Sequence, residues 1–289
     1  LPTPTDTESV ILVLGDAPAA RAAPADRAAA AEAISARQRA LEPGLASLGA
    51  TITFRYRVLA DAVAVRLPAG RLEALAALPE VRAVVPVTFL APAQAVGPTP
   101  APAPQSAPAA PAVAGAGPVH IALIDAGIDP SHPWLGGGMG PTFPIIGGAD
   151  LVDGDGDPRA GGGDPALEAH GTQMASLVGS WGLRRGAPRG RPPAAVPRLL
   201  AYRVVAPEAV GGRVRPLARS DRVLAALEDA VDPDGNGDTS DAAAVILLGL
   251  SSGLAAAGTD PVAGAAAGAA RVGSPVVAPA SDRSWLNNI

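Results

Sequence analysis

Residues 119–125 read VHIALID, a nearly continuous apolar run that ends on an acid. A strand covered on both faces of a parallel sheet is written this way, because neither face meets water and the polar half of the usual alternation is lost. Gly127, Asp129 and Pro130 then turn the chain. A carboxylate at the carboxyl end of such a strand lies where open α/β sheets place their sites. For Asp125 two readings stand at this point, a turn-capping aspartate and a member of a site.

Upstream of this strand, residues 91–117 are rich in proline and alanine and carry no charged side chain. Such a segment is extended and semi-rigid, has no core of its own, and is an obvious place for a protease to cut. It divides the chain into residues 1–90, a linker over 91–117, and residues 118–289. The first unit opens with the apolar run SVILVL at 9–14 and continues with an alanine-rich helical pattern from Pro24 to about Leu41. Strand-like runs at 51–58 and 62–67, a short helix at 68–78, and a strand at 81–90 interrupted by Pro86 complete it. The order β-α-β-β-α-β is that of a small ferredoxin-like α+β unit. It holds no histidine, and its charges alternate in sign as on a solvated face.

Composition limits what the chain can do. All 22 basic residues are arginine and 27 residues are acidic, a net charge of −5 without a basic cluster, which disfavours nucleic-acid binding. With no cysteine there are no disulfides, thiol nucleophiles or cysteine-held zinc. The long uncharged run 242–259 is broken by glycines and serines, so it reads as a strand, a loop and a helix start, and no membrane span is expected. The chain begins at Leu1 without a basic-then-apolar leader, so a signal peptide is expected to lie outside it.

Downstream, residues 168–176 read EAHGTQMAS and hold one of only three histidines. His170 reads as a side chain near a helix start, whereas His120, within the strand, and His132, before Pro133, read as structural. A strand-end aspartate followed 45 residues later by a histidine can supply the orienter and the base of a nucleophilic triad. IALIDAGIDPSH at 121–132 and HGTQMASLVG at 170–179 resemble the aspartate and histidine motifs of the subtilisin-like serine peptidases. Further segments follow in that family's order. Gly186-Ala-Pro188 and LLAYRVV at 199–205 resemble the turn and strand after the histidine helix. AVILLGLSS at 244–252 resembles the substrate-pairing strand, and PVVAPASDRS at 275–284 the strand leading to the oxyanion residue. Residues 147–170 are similar to large extracellular subtilases with a protease-associated insertion.

The resemblance implies a parallel-sheet α/β subtilisin-like catalytic domain, present in part, preceded by a ferredoxin-like propeptide that acts as intramolecular inhibitor. It implies a secreted or cell-surface serine endopeptidase precursor acting on proteins or peptides, with Asp125 and His170 catalytic and Leu250, Ser251 and Ser252 pairing with substrate. No required cofactor is implied. The family's serine motif does not occur after His170, so the nucleophile is expected beyond Ile289. The oxyanion position aligns with Asp282, after Ser281, where the family has asparagine; an ionised carboxylate repels a developing oxyanion that an amide stabilises. Asn287 is the other candidate for that role, and Gln173 replaces a second histidine. These departures leave open a catalytically dead subtilase fold that serves as a binding or surface module. Finally, Asp232, Asp234, Asn236, Asp238 and Asp241 alternate as in the opening of a calcium loop, yet the twelfth position is Ala243. An irregular structural calcium site and an acidic surface turn are both open there, and Asp153-Gly-Asp155-Gly-Asp157 poses the same choice.

Overall fold

A computed structural model describes residues 7–15, 17–93, 119–159, 161, 165–179, 197–251 and 260–279. The first unit runs β1 (Thr7–Val13), α1 (Arg27–Ser47), β2 (Thr51–Tyr56), β3 (Ala62–Pro68), α2 (Leu72–Ala76) and β4 (Ala83–Pro86). Its sheet is antiparallel in the order β2-β3-β1-β4. Val10 and Leu12 of β1 join Val63, Val65 and Leu67 of β3 in a core under Leu41 and Leu45 of α1 and Leu75 of α2. Ile11, Ala62 and Ala64, pointing the other way, enter a second core shared with the rest of the chain. Both faces are covered, which is why β1 is apolar at consecutive positions.

The remainder supplies β5 (Phe89–Pro92), β6 (His120–Asp125), β7 (Ile145–Asp150), α3 (Pro165–Gly179) and β8 (Arg198–Arg203). Next come β9 (Val205–Val210), β10 (Arg213–Arg219), α4 (Ser220–Val231), β11 (Val245–Leu248), β12 (Leu250–Ser251), α5 (Pro261–Arg271) and β13 (Val276–Val277). Among the described residues a five-stranded parallel sheet has the order β13-β11-β6-β8-β7. The molecule is thus mixed α/β. Leu123 of β6 packs on the α3 side with Ala175, while Ala122 and Ile124 pack on the side of α4 and α5. No helix among the described residues is long and apolar enough to cross a membrane.

Three departures from the sequence reading follow from packing. Helix α1 does not stop near Leu41 but passes through Pro43 to Ser47, because Leu45 continues its buried stripe. Residues 81–90 do not form one strand. Pro86 ends β4, and β5 belongs to another antiparallel sheet, in the order β12-β5-β10-β9. Ala91 and Pro92, assigned to the linker by composition, are the second half of β5. The segment 244–252 also splits at Gly249. Its amide continues the parallel ladder by donating to Ile124 O at 3.0 Å, and its carbonyl faces β5.

The first unit meets α4 through a carboxylate. Glu228 is buried, and its oxygens accept from the amides of Val58 (2.9 Å), Leu59 (2.8 Å) and Ala60 (3.2 Å) in the turn between β2 and β3. Tyr56 Oη donates to Asp221 O at 2.8 Å, and Thr88 N donates to Ser220 Oγ at 3.0 Å.

Candidate active site

Asp125 is the last residue of β6, and its side chain is buried. Its Oδ1 accepts from the amide of Ala126 at 2.6 Å and lies 2.6 Å from His170 Nδ1. His170 projects from the second turn of α3, and so is not at the helix start; Pro165 opens the helix five residues earlier, as proline does at a first helical position. Its neighbours in the motif fit it against β6. Gly171 lies so close to the carbonyl of Gly127 that a Cβ would fall inside contact distance. Gly127 itself has φ 90°, a left-handed turn conformation that glycine adopts without strain. Thr172 Oγ1 accepts from the amide of Asp129 at 2.9 Å, pinning that turn to the helix. Gln173 is exposed on the outer side of α3.

The other imidazole nitrogen, Nε2, lies 2.8 Å from the carbonyl oxygen of Ala93. A carbonyl can only accept, so Nε2 carries a proton, and Nδ1 carries one toward the carboxylate. The ring is therefore held as the imidazolium. The hydrogen bond to Asp125 raises the His170 pKa, burial opposes it, and the charge of Asp125 and the Ala93 carbonyl raise it further.

Ala93 arrives there because β5 is paired on both edges. On one side Leu90 and Phe89 face Ala218 and Arg219 of β10; on the other Pro92 and Ala91 face Leu250 and Ser251 of β12. Ala93 N then donates to Gly249 O at 3.0 Å. An extended segment added to exposed strand edges is a common mode of peptide recognition.

The expected site residues are thus partly gathered. Asp125 and His170 meet directly, and Leu250 and Ser251 pair with β5. Ser252, Ser281, Asp282 and Asn287 lie outside the described residues. Sequence reasoning missed Ala93, Glu228 and Gly249's role. Gly249, within the segment AVILLGLSS, abuts Asp125. A Cβ there would overlap Asp125 Oδ2, a buried oxygen with no hydrogen-bond partner among the described residues. Since Oδ1 is already held by two donors, the carboxylate cannot swing away freely. Gly249→Ala should destabilise the protein by about 1–3 kcal/mol, the usual cost of overpacking. Calorimetry would show this as a lowered Tm; an unchanged Tm would mean that the carboxylate has room to move.

The acidic segments divide. The carboxylate oxygens of Asp232, Asp234 and Asp241 lie within 4.8 Å of one another. Asn236 instead donates to Asp234 at 2.8 Å, and Asp238 accepts from Ser240 N at 2.6 Å, so neither joins that group. Asp232 also accepts from Gly237 N and, at 3.1 Å, from Arg57 of the first unit. The loop's charge is met by a guanidinium. In the second segment Asp153 pairs with Arg203 at 2.6 Å, Asp155 accepts from Asp157 N, and Asp157 pairs with Arg159; these are turn and ion-pair contacts. Arg203 is buried and also pairs with Asp150, tying the segment to the end of β8. His132 accepts from Trp134 N at 3.3 Å and lies edge-on to its ring; His120 sits within the β6 ladder.

No protein-family model matches the chain, and no curated protein matches it. Among solved structures, it is similar to the epidermin leader peptide processing serine protease from Staphylococcus aureus, at 11% identity and a TM-score of 0.49. That match covers 94% of this chain, which spans 59% of the length of the other.

Proposed function

We propose that this chain is the leading part of a secreted subtilisin-like serine endopeptidase precursor, with residues 7–93 acting as an intramolecular inhibitor. One observation carries the reading: a buried carboxylate paired with a half-buried imidazole whose outer nitrogen meets the Ala93 carbonyl, at the end of a strand laid between two others. In catalysis, Asp125 fixes the tautomer in which Nδ1 carries the proton and stabilises the imidazolium once it forms. His170 Nε2 takes the proton of a serine hydroxyl supplied from beyond Ile289 and delivers it to the leaving amine. With Ala93 O on Nε2, that nitrogen has no free lone pair for a hydroxyl proton, so the docked segment blocks the base.

Substrates would enter as β5 does, as extended peptides between β10 and β12. The complete protein should hydrolyse casein and become labelled by a fluorophosphonate once the first unit is released. A released, folded protein that neither cleaves casein nor reacts with the probe would leave the binding-module reading in its place.

A further inference from the structure

We infer that the bond on the carboxyl side of Ala93 is the one this protein cuts to free its own first unit, and that the sequence Leu90-Ala-Pro-Ala93 is the template of its preferred substrate. The inference rests on the peptidase reading above. Composition allows a cut anywhere between residues 91 and 117, and the structure narrows it to one carbonyl. Thr88 and Ser220 exchange two hydrogen bonds, Thr88 N to Ser220 Oγ at 3.0 Å and Ser220 N to Thr88 O at 2.9 Å. The pairs Phe89–Arg219, Leu90–Ala218, Ala91–Ser251 and Pro92–Leu250 then fix the register residue by residue. Ala93 is next, its N–H on Gly249 and its C=O on His170 Nε2. A slip by one residue would turn the carbonyls of 92 or 94 toward the base only by exchanging which side chains are buried.

The side chains show what is read. Leu90 is 6% exposed and belongs to the core that contains Ala218 and Leu250, whereas Phe89 is 37% exposed. Ala91 is also 6% exposed, which restricts its position to a small residue. Pro92 falls where the pairing with β10 has ended, so its lack of an N–H leaves no acceptor on that strand unpaired. The step itself is hydrolytic. Once the Ala93 carbonyl oxygen leaves Nε2 and that nitrogen gives up its proton to solvent, the serine oxygen bonds to the Ala93 carbonyl carbon while the hydroxyl proton passes to the neutral Nε2. The bond to the nitrogen of Gln94 then breaks as that nitrogen takes the proton. Water finally supplies hydroxide to the acyl carbon and a proton to the serine oxygen, leaving Ala93 with a carboxylate.

The test uses the complete protein. Intact mass of the released first unit should place its last residue at Ala93. Leu-Ala-Pro-Ala-p-nitroanilide should exceed Asp-Ala-Pro-Ala-p-nitroanilide in kcat/KM by about tenfold or more, as expected for an apolar pocket. Casein cleavage with a first unit that ends elsewhere, or without preference between the two peptides, would overturn the inference and leave the peptidase reading intact. Absence of casein cleavage and of fluorophosphonate labelling would remove both.

Discussion

In the complete protein, Asp125→Asn should lower kcat/KM by about 10⁴-fold, and His170→Ala should lower kcat by about 10⁶-fold. The first effect follows from the 2.6 Å contact between Asp125 Oδ1 and His170 Nδ1. An amide can turn its NH₂ toward the ring and favour the tautomer with the proton on Nε2, where it obstructs the hydroxyl. It also lacks the charge that stabilises the imidazolium. The second effect is larger because no other described side chain sits at Ala93 O to take the proton. Residual rates near these values, with the melting temperature preserved, would fit a triad. Undiminished casein cleavage by His170→Ala would end the assignment.

The second large effect concerns Glu228. Replacing it by alanine leaves three amides without their acceptor, buried at Val58 and Leu59 and half-buried at Ala60. Each such loss costs about 1–3 kcal/mol, so the cleaved first unit should bind roughly a hundredfold more weakly or worse. Size-exclusion chromatography of the self-processed protein would show separation in the variant and co-elution in the wild type. Co-elution in both at micromolar concentration would place the binding energy elsewhere.

The same residue gives docking a pH dependence. Burial raises the Glu228 pKa to about 7, against the opposing effect of its backbone hydrogen bonds. Release would return it toward the ordinary carboxylate range. A carboxyl whose pKa is raised on docking favours the docked state fully below its free value and loses that contribution as pH rises through the docked value. For His170 the largest raising cause, its hydrogen bond to Asp125, is the same docked or released, so only the Ala93 carbonyl, lost on release, acts in the same direction, and burial opposes it. Near Glu228, Tyr56 and Asp221 add no compensating positive charge, and Arg219 is paired with Asp221. Retention of the first unit should therefore weaken from pH 5 to pH 8, by up to about 10²-fold from Glu228 alone. Glu228→Gln should flatten that slope.

Both members of the Asp125–His170 pair were legible from local sequence. VHIALID marks a strand without a wet face and ends on Asp125, and HGT joins a base to the glycine and threonine that seat it against the turn after β6. Those signals are short-range, since strand burial and close helix approach are written in consecutive residues. The splitting of residues 81–92 between two sheets was not legible. Pro86 signals an interruption, but nothing local says that the residues after it will find edges on β10 and β12, more than a hundred positions away.

Sequence alone therefore determined the order of elements in the first unit, the apolar parallel strand, and the aspartate and histidine that meet at its end. Tertiary structure alone decided what faces the imidazole of His170. Hydrogen bonds between strands depend on which backbone edges meet in space, and an alanine carries no side-chain signal that its carbonyl will lie 2.8 Å from an imidazole. The same holds for Glu228, which in sequence is one acid on an amphipathic helix. It becomes a buried acceptor of three amides only because the turn between β2 and β3 closes over it.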